Sequence, residues 1–348
     1  MSTSQNDRIS ITRVAQVADV SIQTVSRVIN EQPGVSLKTR ERVLKIIEDL
    51  GYYPSRAAKA MRGASRTLGI VGYGLEFYGP SRTLIGAQQE ASRRNYGTVV
   101  ELVQEPENVD VRAIFETLLS NHVDGIVWCI PDIGSNVKLV VSQLEKVNVP
   151  LVFTDTSPVS HDLLTYCDNY LGGLVATRHL AEGGHQMIGL ITGPLSYFSA
   201  RERKRGWQDA LHEYNLSWHD DLVVEGDWRP QSGAEALTHL IAHNPDMTAV
   251  FASNDQMALG VLHSAEQMGL NVPDDLAVIG YDDIPEAAFF HPSLSSIRQN
   301  IIALGAGVVN QIIQAIESTV IKGQYTPDVS VIQPELVIRA SSRQTARS

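Results

Sequence analysis

The stretch SIQTVSRVIN, residues Ser21–Asn30, carries two stripes at once. Wound as a helix at about 100° per residue, Thr24, Val25, Val28 and Ile29 fall on one side. Ile22, Gln23, Ser26, Arg27 and Asn30 fall on the other. The first stripe can be buried against a small core. The second offers one aliphatic group, several hydrogen-bonding side chains and a single positive charge. The flanking sequence gives this outer face a context. ITRVAQVA (11–18) reads as a preceding helix with Thr12 as N-cap, DV (19–20) as a tight turn, and Ser21 as the cap of the quoted helix. After the loop EQPGV (31–35), Ser36 caps a longer helix, LKTRERVLKIIEDL (37–50), which Gly51 ends. Two helices joined by a short turn, with a third packed across them, form a helix-turn-helix unit over residues 9–51.

In such a unit the second helix enters the major groove with its amino-terminal residues at base edges. Gln23 can pair with adenine, Arg27 with guanine, and Ile22 can pack on a thymine methyl. Ser26 and Asn30 can reach bases or phosphates. An ordinary solvated face has the same pattern, so charge has to arbitrate. The whole chain, 348 residues, is acidic at −11. Residues 1–66 hold 11 Lys+Arg against 6 Asp+Glu, a balance of +5, which leaves −16 on the remainder. A basic head on an acidic body favours a DNA contact.

From Thr67 onward apolar strands alternate with amphipathic helices. TLGIVGYG, GTVVELV, DGIVWCI and PLVFTD form one series, with helices near 82–95, 110–121 and 135–147. LLTYCD, QMIGLITG, LVVEGD, TAVFAS and LAVIGYDD form a second. This is the rhythm of parallel sheets covered on both faces, and it predicts an α/β body of two doubly wound subdomains over 67–340. Subdomain one is expected over 67–158 plus 294–325, and subdomain two over 159–293 plus 326–340. Between head and body, YYPSRAAKAMRGASR (52–66) holds a helix of about two turns, marginal alone in water and suited to folding on a partner. Cys129 and Cys167 sit inside strands and read as buried small hydrophobes in a reducing compartment. No leader or 18-residue apolar run stands out, so the expected location is the cytoplasm, with no membrane partner.

Several stretches together resemble the LacI/GalR-type bacterial transcription regulators: ISITRVAQVADVSIQTVSRVIN, VSLKTRERVLKIIEDLGYYPSRAAKAM, GPLSYFSARERKRGW, ASNDQMALG, VIGYDDI and HPSLSSI. The likeness runs from about Ile9 to Arg339. It implies a helix-turn-helix head, a short hinge helix and a periplasmic-binding-protein-like core. By that resemblance Ile22, Gln23 and Arg27 match base-reading positions, while Ser21, Thr24, Ser26 and Asn30 match positions near the DNA backbone. Ser55 to Arg62, with Ser55, Ala58 and Met61 as DNA contacts, match a hinge helix that enters the minor groove. Met61 stands where the family wedges a leucine between base steps, and Asp19 where its turn usually has glycine.

In open parallel sheets ligands sit beyond the carboxyl ends of the strands. Asp155, Arg201, Trp228, Asn254 and Asp282 fall at such ends or in the loops after them. Carboxylates and an amide can pair with vicinal hydroxyls, a guanidinium can fork onto two oxygens, and an indole face can cover a pyranose. The set suits a neutral polyol better than a phosphate or a carboxylate. The resemblance agrees, matching these positions to sugar-binding ones, with Ser199 and Arg203 as further pocket positions. Phe77 or Tyr78, in the loop after the first strand, should form one wall. Singly, each has a plainer reading: Asp282 as a turn cap, Arg201 and Arg203 as a solvated helix face, Trp228 as core. His185 matches a structural position.

The resulting expectation is a repressor of carbohydrate-utilisation genes, working as a homodimer on a near-palindromic DNA operator and released by a sugar effector such as a galactoside. No nucleophile elbow, zinc spacing or Walker loop is present, and neither an enzyme nor a cofactor is expected. A co-repressor ligand, or a sugar receptor without a DNA role, are the alternatives.

Overall fold

The computed structural model describes residues 9–29, 32–52, 65–133, 136–144, 147–156, 163–322 and 328–342. The chain divides into a head, Met1–Ser65, and a body, Arg66–Ser348.

The head is three helices: α1 (Ile11–Val17), α2 (Ile22–Ile29) and α3 (Leu37–Leu50). Ser10, rather than the expected Thr12, caps α1, its hydroxyl accepting from the Arg13 amide. The Thr24 amide donates to Ser21 Oγ at 3.1 Å, and Ser36 caps α3 as expected. Gly51 closes α3 in the left-handed conformation that its missing Cβ permits. Val14, Ala15, Ala18, Val25, Val28, Val43 and Tyr52 make the core. Asp19 holds the turn before α2 at φ 50°, the conformation usually left to glycine. Arg40 reaches back from α3 and donates to the carbonyls of Val28 (3.3 Å) and Gln32 (2.8 Å), fixing the carboxyl end of α2. The hinge residues Ser55, Ala58 and Met61, and Asn30, lie outside the described residues.

The body has two six-stranded sheets. The first contains β1 (Thr67–Gly72), β2 (Gly97–Leu102), β3 (Gly125–Cys129), β4 (Leu151–Thr154), β5 (Leu163–Cys167) and β11 (Val329–Ile332), in the order β11-β5-β4-β3-β1-β2. The second contains β6 (Ile188–Thr192), β7 (Val223–Glu225), β8 (Ala249–Ala252), β9 (Ala277–Asp282), β10 (Ser295–Arg298) and β12 (Glu335–Val337), in the order β12-β10-β9-β8-β6-β7. All pairings are parallel except β10 with β12. The two-subdomain plan holds, but its borders move. β5 joins the first sheet, not the second; β10 joins the second and β11 the first. Each of these strands is only four or five residues long, so sheet membership is decided by pairing partners far away in sequence.

Helices cover the sheets: α4 (Tyr78–Arg93), α5 (Val111–Ser120), α6 (Asn136–Gln143) and α11 (Ile301–Lys322) on the first subdomain, and α7 (Asn169–Glu182), α8 (Phe198–Glu213), α9 (Pro230–His243) and α10 (Asp255–Gln267) on the second. Residues 301–319 of α11 are apolar and long enough to span a membrane, contrary to the sequence expectation. Half of that window is buried, however, with Val308, Val309, Ile312 and Ile313 in the core of the first sheet. A Cβ at Gly86 would strike the Ile302 carbonyl, so the close approach of α4 and α11 depends on that glycine.

Candidate functional site

On the head, α2 presents Ile22 (47% exposed), Gln23 and Arg27 to solvent, as the helical stripe requires. Ser26 departs from expectation. It is 5% exposed, so in the head as it stands its hydroxyl does not belong to the outer face. Ser21 and Thr24 are tied to each other, hydroxyl to hydroxyl, at 2.9 Å. Their first role is to start the helix that carries Gln23 and Arg27.

In the body, a cleft of about 870 Å³, solvent at its mouth included, opens at the carboxyl ends of both sheets. Asp155, Ser199, Arg203, Trp228, Asn254 and Asp282 all line it, as do Phe77 and Tyr78. The local backbone explains the convergence. Asp155 (φ 56°) and Trp228 (φ 70°), after β4 and β7, and Asp282 (φ 107°), the last residue of β9, take a conformation that L side chains seldom adopt, and Asp283 (φ 53°) joins them. Such strain persists only where surroundings over-determine it, and it gathers at ligand sites. Gly193 gives the indole its place, because a Cβ there would run into the Trp228 ring.

Arg203 is the centre. It is buried, its Nε donates to Asn169 Oδ1 at 2.8 Å, and Nη1 donates to the Ser253 carbonyl. Its guanidinium lies 3.7 Å over the Tyr281 ring and 5.5 Å from that of Trp228. So held, it is a fixed positive charge with donors to spare. Two carboxyls face it, the buried Asp282 and the half-buried Asp155. Burial pushes Asp155 and Asp282 up to about 6; Arg203 pulls both back down, and Asp282 adds to the rise at Asp155. Gln299 donates to Asp282 Oδ1 at 2.7 Å. Asn254 Nδ2 donates to the Trp228 carbonyl at 2.9 Å while its Oδ1 caps α10 by accepting from the Met257 amide. Asn254 therefore positions the indole loop as well as lining the cleft. Across the cleft lining, the Tyr197 hydroxyl of the second subdomain donates to that of Tyr73 in the first at 3.4 Å. Arg229 lies 5.3 Å over Phe77.

Two family models match the chain: bacterial regulatory proteins, lacI family, over residues 10–55, and periplasmic binding protein-like domain over 177–342. The lactose operon repressor of Escherichia coli (strain K12) is 32% identical over 337 residues, 96% of this chain and 91% of its own. The HTH-type transcriptional repressor PurR of Actinobacillus pleuropneumoniae serotype 3 (strain JL03) is 32% identical over 338 residues, covering 96% and 98%. The chain belongs to the lacI family. The crystal structure of the lac repressor dimer bound to operator and the anti-inducer ONPF superimposes with a TM-score of 0.86 at 30% identity, covering 97% of this chain and 99% of that one. This lacI-family protein is accordingly a DNA-binding transcriptional repressor and not an enzyme.

Within this lacI-family cleft the sequence misjudged one arginine. Arg201 does not line it; Nη1 donates to the carbonyls of Leu195 (3.1 Å) and Ser196 (2.7 Å), clasping the loop before α8. Arg203 takes the place expected of Arg201, two residues on and therefore on another face of α8. Missed altogether were Tyr73, Thr154, Tyr197 and Gln299, which also line the cleft. Cys129 and Cys167 are free, but they face the cleft rather than merely filling core. Burial raises both thiols to about 12, so they stay neutral. His185 pairs with Thr248 Oγ1 at 2.9 Å, the structural part assigned to it.

Proposed function

We propose that this repressor controls carbohydrate-utilisation genes and is released from its operator by a neutral saccharide, a galactoside being the first candidate. The observation that carries this reading is the cleft itself: an indole wall beside one fixed guanidinium and two carboxyls, Asp155 and Asp282, with raised pKa. A pyranose has an apolar face for the indole and hydroxyls that both donate and accept. A phosphorylated or carboxylated ligand would meet two carboxylates against one arginine, which disfavours it. Asp155, Ser199, Arg203, Trp228, Asn254 and Asp282 are its contacts, with Arg201 holding the neighbouring loop.

On the DNA side, Ile22, Gln23 and Arg27 read bases, and Ser21, Thr24 and Asn30 serve the backbone contacts around them. Ser26 supports the helix from inside. The segment 52–66, with Ser55, Ala58 and Met61, acts at the operator centre. Two copies of the chain read two half-sites of a near-palindrome in the cytoplasm. Saccharide contacts from both subdomains change their relative placement, and the two hinge segments lose their pairing. The ligand needs a differential affinity for the two states of about 1–3 kcal/mol.

The test is a fluorescence-anisotropy titration of a labelled operator duplex, repeated with a panel of mono- and disaccharides. One saccharide is expected to release the duplex in proportion to its occupancy of the cleft. A saccharide that binds and tightens the complex would reverse the sign. Binding by none would refute the ligand class.

A further inference from the structure

Threonines near the cleft differ in one respect. Thr83 Oγ1 donates to the Gly79 carbonyl at 3.0 Å, and Thr165 Oγ1 donates to Gln311 Oε1 at 2.6 Å. Thr154, which stands beside Thr165 across the β4–β5 pairing, has no such partner. It is 2% exposed, it lines the cleft, and its hydroxyl is shut off from water. Among the described residues, two other buried hydroxyls without partners, Thr192 and Ser253, do not line the cleft. A valine would fill the same volume, suit the strand equally, and leave no polar atom unsatisfied. Threonine at this place costs stability unless something in the cleft completes it.

We infer that Thr154 is a specificity contact of the effector cleft, pairing with an alcohol group at the buried end of the saccharide. The inference rests on the saccharide reading above. Rotation about χ1 exchanges the methyl and hydroxyl of threonine, so the hydroxyl can turn to the cleft side without moving the strand. Its neighbour on β3, one place beyond the Trp128–Phe153 pair, is Cys129, whose thiol is a weak donor. The ligand's buried end thus meets two small neutral groups, while the charged set of Arg203 and Asp282 grips it elsewhere. A site built to hydrogen-bond a hydroxyl rejects the analogue lacking it far more strongly than an apolar wall rejects a missing methylene.

The experiment uses the full chain, T154V and T154S, with methyl β-D-galactopyranoside and its monodeoxy analogues as probes in calorimetric titrations. Wild type should bind one deoxy analogue roughly tenfold or more weakly than the parent. T154V should lose a similar factor for the parent and cease to discriminate that analogue; T154S should retain the preference. Unliganded T154V should melt no lower than wild type, because it removes an unsatisfied hydroxyl. A clear drop in the T154V melting temperature would make the hydroxyl a structural partner and overturn the inference without any ligand. Unchanged affinity and discrimination in T154V would overturn it while the saccharide reading stands. Failure of wild type to bind any of the glycosides would overturn the galactoside reading and this contact with it.

Discussion

Acidification should weaken ligand binding and strengthen the unliganded fold at the same time. Asp155 and Asp282 are held near 6, above the usual 3.8, chiefly by burial. In the folded chain they take up protons that the unfolded chain releases until it reaches about 3.8. Stability from these two groups therefore rises as pH falls through about 6 and levels off below the unfolded value. A neutral saccharide acts in the other direction. On the proposed contacts its hydroxyls donate to the carboxylates, so it should prefer the ionised form and return the pKa toward the ordinary range. At pH 5 a group titrating near 6 is about one-tenth ionised, which gives about a tenfold loss of affinity for one coupled carboxyl. Independent coupling of both would give up to roughly a hundredfold. The energy available matches, since moving one carboxyl from 3.8 to about 6 corresponds to roughly 3 kcal/mol. The assay is isothermal titration with the released saccharide at half-unit steps from pH 5 to 8, paired with melting curves of the unliganded protein. Asp282→Asn should remove one step and flatten the profile. Affinity that stays level from pH 8 to 5 would refute the ionised-carboxylate contact, whatever the melting curves do.

The remaining predictions concern the head and the indole wall. Arg27→Ala should cost about 1–3 kcal/mol of operator discrimination, measured as the ratio of specific to random-duplex affinity; an unchanged ratio would remove Arg27 from base reading. Trp228→Ala should weaken saccharide binding by titration calorimetry while unliganded operator affinity stays within twofold of wild type, a span of about 0.4 kcal/mol. Ser36→Ala removes the hydroxyl that accepts from the Thr39 amide, and the helical signal of the head should melt about 1 kcal/mol less stably. Arg201→Ala should leave saccharide affinity nearly intact, because that guanidinium is spent on Leu195 and Ser196; a loss as large as that of Arg203→Ala would return it to the cleft.

The sequence is most legible where a function is local. Caps, turn residues and a 3.6-residue stripe placed the helix-turn-helix within two residues, and of the five residues read from strand ends, Asp155, Trp228, Asn254 and Asp282 line the cleft. Errors arise where the answer depends on partners distant in the chain. β5, β10 and β11 are four or five residues long, too short to carry a sheet address, and only their neighbours assign them to a sheet. Ser26 lies at the edge of the outer stripe, where a small side chain is easily covered. Arg201 and Arg203 sit on one helix with the same chemistry. What separates them is that Asn169, Ser253 and Tyr281 receive Arg203, and nothing near either arginine in sequence announces those three.

Those same distant partners explain how one cleft can sense a ligand as a whole. The first subdomain contributes Asp155 and Tyr73; the second contributes Arg203, Trp228 and Asp282. Gln299 sits where the chain passes from β10 to α11, that is, from the second sheet to the first subdomain, and it donates directly to Asp282. On the proposed reading, a saccharide bridging both subdomains gains its full set of contacts only in one relative placement. Each contact that spans the cleft therefore adds to the difference between placements, and contacts confined to one side add affinity alone. Replacing Gln299 with Glu should accordingly do more than weaken binding. It sets a second carboxyl against Asp282 at the crossing, so it should shift operator affinity even without saccharide, seen by anisotropy on the labelled duplex. If operator affinity in Q299E matches wild type while saccharide affinity falls, the crossing carries no part of the coupling.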